Sequence, residues 1–159
     1  MTWTVVPGSG PATGLGQNPP KEPRRELPRP QAVRVLIVDD EPSICKALGL
    51  ALSNAGYEVF IAKSGETACS VVETESVDVM LVDLRIPDMR GDMIFEYAAG
   101  VQPNLRHSTL FMTGDISDQA IGLIAACKCH FIRKPFDLSV MTDAVAALSP
   151  IVEAQKSSA

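Results

Sequence analysis

The sequence predicts an α/β protein: a five-stranded, parallel, doubly wound sheet with helices on both faces. Two observations predict it. Short β-branched apolar runs alternate five times with segments whose apolar residues recur at helical spacing, an alternation that calls for parallel pairing and right-handed crossovers. The runs expected as strands one, three, four and five each lead into a polar residue, and in open sheets of this kind ligands bind beyond the carboxyl ends of the strands.

The first strand is the run Val33, Val35, Ile37 and Val38, which stops at Asp39-Asp40. Pro42 suits the first turn of a helix, where its missing N–H costs nothing. Ile44, Leu48, Ala51, Leu52 and Ala55 then follow at helical spacing, and Gly56 fits just past the end. Glu58–Ala62 reads as the second strand. Ser64 can cap a helix carrying Ala68, Val71 and Val72 on one face. Val77–Val82 is a strand of the buried type ending at Asp83, and Met93–Ala99 a short helix. Thr109–Met112 is the fourth strand, ending at Thr113. Ser117–Cys127 is a helix weakened by Gly122. Phe131–Arg133 is the fifth strand, ending at Lys134-Pro135. Asp137 caps a last helix carrying Leu138, Met141, Val145 and Leu148.

Residues 1–32 have a different character. Pro7, Pro11, Pro19, Pro20, Pro23, Pro28 and Pro30 lie there with four glycines, so the segment cannot bury enough apolar surface to offset its ordering entropy. It is expected to be a disordered tail, basic in its second half through Lys21, Arg24, Arg25 and Arg29. The domain then runs over 33–149, and 150–159 is a short C-terminal tail. The net charge of −5 disfavours direct nucleic-acid binding. No apolar run reaches the length of a membrane helix and the N-terminus lacks the plan of a signal peptide, so the expected location is the cytoplasm.

The strand ends gather a specific chemistry. Asp39 and Asp40, Asp83, Thr113 and Lys134 converge on one rim if their strands are neighbours. Three carboxylates a few ångströms apart repel by about 4 kcal/mol per pair at an effective dielectric of 20. A divalent cation removes that repulsion, and all-oxygen ligands point to Mg²⁺. The metal would also keep Asp83 ionised and nucleophilic. Lys134 supplies a point charge for phosphate oxygens, and the Thr113 hydroxyl can donate a hydrogen bond to one of them.

Val38-Asp39-Asp40-Glu41-Pro42, Val82-Asp83, Met112-Thr113-Gly114 and Arg133-Lys134-Pro135-Phe136 together resemble the receiver domain of two-component response regulators. Pro87 and Gly91 also fall where receivers carry them. The resemblance implies a flavodoxin-like sheet in the order 2-1-3-4-5. It implies that Asp83 takes a phosphoryl group from a sensor histidine kinase or a histidine phosphotransfer protein. Asp40 would bind Mg²⁺ directly, Asp39 largely through water, and the Arg85 backbone carbonyl would be a further ligand. Thr113 and Lys134 would hold the phosphoryl oxygens, and Phe131 occupies the switch-aromatic position. Such a module catalyses only its own phosphorylation and dephosphorylation. It signals to a downstream protein, or through a phosphorylation-dependent dimer, by the face of the fourth helix, fifth strand and fifth helix.

Some positions depart from the pattern or admit two readings. Lys128-Cys129-His130 stand where many receivers carry Gly-Ala. Phe131 reads equally as a switch ring or a core aromatic. Arg85 and Asp115 form an ion pair over the site or are two solvated charges. His107 and His130 read as loop-edge residues. Cys127-Lys128-Cys129-His130 lacks the CxxC spacing of common zinc sites, and Cys45 and Cys69 fit buried positions. The competing activity is an Mg²⁺-dependent phosphohydrolase that also forms an aspartyl phosphate. Asp39-Asp40-Glu41 lacks the DxD spacing such enzymes often use, and no dinucleotide fingerprint follows a strand.

Overall fold

The computed structural model describes residues 32–157, with backbone alone for 150–157. The expected N-terminal tail therefore falls, but for Ala32, outside the described residues. The elements are β1 (Arg34–Val38), α1 (Pro42–Asn54), β2 (Glu58–Ala62), α2 (Gly65–Thr74), β3 (Val79–Asp83), α3 (Gly91–Val101), β4 (Thr109–Thr113), α4 (Asp118–Ala126), β5 (His130–Arg133) and α5 (Leu138–Ser157). One five-stranded sheet runs in the order β2-β1-β3-β4-β5, with every pair parallel.

Strand periodicity divides the core into two layers. Val35, Ile37, Val79, Leu81, Leu110 and Met112 face α1 and α5, meeting Cys45, Leu48, Leu52, Met141 and Val145. Their alternates Leu36, Val38, Met80, Val82 and Phe111 face α2, α3 and α4. β3 lies at the centre, buried along its whole length, so its last residue, Asp83, emerges in the middle of the carboxyl edge.

Local signals explain the helix ends. The Ser64 hydroxyl accepts the Thr67 amide at 3.1 Å, and the Ser117 hydroxyl accepts that of Ala120 at 3.2 Å. Gly56 takes φ +94°, a value open to glycine after a helix. The Asp137 backbone carbonyl accepts the Val140 and Met141 amides, so this residue opens α5 through its main chain.

Several features differ from expectation. A 3₁₀ turn, Pro103–Arg106, precedes β4. α3 gains about a turn of helix, starting at Gly91 and ending at Val101. α5 passes through Pro150 to Ser157, although proline removes one backbone hydrogen bond from a helix. Among the described residues no helix is long and apolar enough to cross a membrane.

Candidate phosphoryl-transfer site

Asp39, Asp40 and Asp83 offer carboxylate oxygens that lie within 4.8 Å of one another. β1 and β3 are direct neighbours, so their carboxyl ends deliver these groups side by side. Asp39 is fully buried, Asp83 nearly so, and Asp40 is exposed. Lys134, brought in at the end of β5, reaches across: its Nζ donates to Asp39 Oδ2 at 2.7 Å and to Asp83 Oδ2 at 2.8 Å. Glu41 stands 3.7 Å from the same ammonium. The second oxygens are also held, Asp39 Oδ1 by the Glu41 amide and Asp83 Oδ1 by the Arg85 amide.

This donor set fits a hard divalent cation. It is all oxygen, it carries an excess of negative charge over Lys134, and its exposed member, Asp40, opens to solvent. Burial pushes the Asp83 carboxyl above the ordinary range, against the Lys134 and Arg85 hydrogen bonds that pull it down. Burial works to lower the Lys134 pKa too, but its bonds to Asp39 and Asp83 outweigh that and raise it. An acid whose pKa is raised by folding costs stability once ionised. The contribution of Asp83 to metal-free stability should therefore fall as pH climbs from the unfolded carboxylate pKa through the folded one, then level off. Asp83→Asn removes that cost. It is expected to be more stable than wild type at neutral pH without Mg²⁺, with the gap narrowing at acid pH and on adding Mg²⁺, as followed by urea unfolding.

Glycine at position 91 is a packing requirement. A Cβ there would sit 2.2 Å from the Asp83 carbonyl oxygen and 2.8 Å from Leu84 Cα. The Gly91 amide donates to the Leu84 carbonyl at 2.8 Å, so the start of α3 seats directly on the backbone that carries Asp83. The loop between them is tied elsewhere by Asp88, whose carboxylate accepts the Gly65 amide at 2.9 Å and the Glu66 amide at 3.1 Å at the head of α2. Those two bonds lower its pKa. Sequence reasoning missed Asp88 because its partners lie 23 and 22 residues away, outside any local pattern.

Three other expected residues need finer placement. The Thr113 hydroxyl donates to the Asp115 carbonyl at 3.1 Å and accepts the Asp115 amide at 3.0 Å, so it is turned into the β4–α4 loop and not onto Asp83. Phe131 is 38% exposed on β5, which sets aside the core-aromatic reading and leaves the ring on the surface. Arg85 and Asp115 do pair: Arg85 Nε lies 2.9 Å from Asp115 Oδ2, and a terminal guanidinium nitrogen contacts the same oxygen. The Ser117 amide and then the Arg85 guanidinium hold the Asp115 carboxyl down at about 2, so the pair stays charged at neutral pH.

The cysteines and histidines fall outside the rim. Cys45 is buried, its thiol donating to the Asp39 carbonyl, whereas Cys69 is only half-buried. Cys127 and Cys129 pack against the α2/α3/α4 layer, and burial pushes both thiols up to about 11. His107 ends the 3₁₀ turn and His130 begins β5, both exposed.

Comparison with known proteins agrees with this geometry. Residues 35–146 match the response regulator receiver domain. Sporulation initiation phosphotransferase F of Bacillus subtilis is 30% identical over 118 residues, covering 74% of this chain and 94% of that protein. Transcriptional regulatory protein GlrR of Escherichia coli is 35% identical over 111 residues, covering 70% of this chain but 25% of that protein. The chain thus spans about a quarter of the length of that curated relative, and 46% of the mycobacterial regulator TcrX. Among solved structures, a CheY-like receiver domain protein of Methanospirillum hungatei superposes with a TM-score of 0.69 at 25% identity, over 81% of this chain and all of that one. Chemotaxis protein CheY4 of Vibrio cholerae gives 0.68 at 25% identity, over 74% and 99%. The chain belongs to the response regulator receiver domain family.

Proposed function

We propose that Asp83 accepts a phosphoryl group from the phosphohistidine of a sensor histidine kinase or a histidine phosphotransfer protein, and that the product is a signal read by another protein. The observation that carries this reading is the convergence of Asp39, Asp40, Asp83 and Lys134 at the carboxyl edge. An Asp83 carboxylate oxygen attacks phosphorus as the P–N bond breaks, and the imidazole leaves with the bonding electrons. Asp39, Asp40, Asp83 and the Arg85 carbonyl would hold Mg²⁺, which when bound neutralises charge on the transferring group. Lys134 exchanges its contact with Asp83 for a phosphoryl oxygen. The Thr113 hydroxyl reaches another oxygen by leaving Asp115, which couples phosphorylation to the β4–α4 loop. Phe131 and α4, with Gly122 open to space on its surface, then belong to the face that reports the change.

The test is intact mass after incubation with Mg²⁺ and phosphoramidate. Wild type is expected to gain one phosphoryl group, while Asp83→Asn, or wild type with Mg²⁺ chelated, gains none. An adduct on Asp83→Asn equal to that on wild type would refute the reading.

Arg85 and Asp115, paired with each other, line an open groove together with Asp83 and Lys134. The pair shields the acyl phosphate from water. In Arg85→Ala the phosphoryl lifetime should shorten severalfold by loss-of-adduct kinetics; an unchanged lifetime leaves the pair without that role.

A further inference from the structure

Both histidines of the chain line one groove at the end of the sheet opposite Asp83. It encloses about 620 Å³ where β4 and β5 begin, beside the middle of α5. Its cationic and titratable rim is Arg106 and His107 from the 3₁₀ turn, and Lys128 and His130 from the turn into β5. Its floor is mainly apolar: Leu110, Phe131 and Ile132 from the strands, with Ala144, Ala147 and Leu148 from α5.

The charge of this groove runs against that of the molecule. The chain has 19 acidic residues against 14 basic ones, yet no carboxylate lines the groove. All four rim residues are exposed. Among the described residues Arg106 pairs with the exposed Glu96, at 3.5 Å, and His107, Lys128 and His130 form no ion pair. Lys128 also holds φ 57°, the left-handed region where glycine is the easy residue. A lysine there carries a backbone cost and places an ammonium on the rim.

We infer that this groove binds an acidic, amphipathic segment of a partner protein, with carboxylates on the rim and an apolar side chain on the apolar floor. This rests on the reading that the chain signals through protein contacts. Charge complementarity selects an acidic partner, and the floor selects against a nucleic acid, whose phosphate backbone has nothing to bury against these apolar side chains.

The probe is a fluorescein-labelled helical peptide with glutamates on one face and leucines on the other. Its controls are a lysine-for-glutamate twin and a serine-for-leucine twin, each titrated into the 159-residue chain by anisotropy. The glutamate–leucine peptide should bind, and both twins should bind about tenfold more weakly or worse. Arg106→Glu/Lys128→Glu should weaken the parent peptide by a similar factor, and amide shifts on binding should centre on residues 106–110 and 128–132. No binding, equal binding of either twin, an unaffected double variant, or shifts centred on the Asp83 rim would overturn the inference. Two-dimensional NMR of the double variant checks its fold, and if it is perturbed the twin peptides and shift map still decide. Phosphoramidate labelling of the same samples separates the two readings: failure of labelling with groove binding intact overturns the phosphoacceptor proposal and not the groove.

Discussion

Replacing Lys134 with methionine is expected to destabilise the metal-free protein by about 3 kcal/mol at neutral pH. The side chain bridges two carboxylates that are fully and almost fully buried, and it is itself only 12% exposed. Removing one member of a buried ionic group leaves the others uncompensated, which typically costs about 3–5 kcal/mol. We take the low end because Glu41 and the open groove leave the site partly hydrated, and because Asp83 can take up a proton. The loss should shrink as pH falls and the carboxylates protonate. It should also shrink on adding Mg²⁺, which replaces the missing positive charge. Urea unfolding across pH, with and without Mg²⁺, measures all three effects. A loss that ignores both pH and Mg²⁺ would mean that Lys134 contributes packing and not charge compensation. Phosphoryl uptake should fall as well, since the variant loses the ammonium proposed to meet the phosphoryl oxygens.

Gly91→Ala should cost roughly 3 kcal/mol, the upper end of the usual penalty for overpacking. The new methyl meets backbone atoms of Asp83 and Leu84, not the end of a flexible side chain, so α3 or the end of β3 must move. Movement of that backbone displaces Asp83, the proposed nucleophile, so phosphorylation should slow along with the loss of stability. Gly122→Ala is the control: a Cβ there meets nothing within 4 Å, and alanine favours the helix. A Gly91→Ala protein as stable and as active as wild type would contradict the close approach at this position.

The parts of the fold that were legible are those written in local pattern. β2 spans the Glu58–Ala62 run read as a strand, and Ser64 caps α2 as its position suggested. The site was legible for a related reason: Asp39, Asp40, Asp83 and Lys134 each follow an apolar strand, so parallel pairing alone carries them to one edge. What was not legible depends on contacts distant in sequence. The Asp88 tether to α2 and the seat of Gly91 on Asp83 exist only once α2, β3 and α3 are packed. The Thr113 hydroxyl, expected to donate to a phosphoryl oxygen, instead donates to the Asp115 carbonyl and accepts the Asp115 amide. The course of α5 beyond Ser149 runs against the helix-breaking character of Pro150.

The most direct measurement of the central claim locates the phosphoryl group itself. Protein phosphorylated with phosphoramidate and Mg²⁺ is reduced with borohydride, which converts an aspartyl phosphate to homoserine, and is then digested and sequenced by mass spectrometry. Homoserine is expected at position 83, with aspartate unchanged at 39 and 40. Homoserine at either of those positions, or a stable phosphate on another side chain, would contradict it.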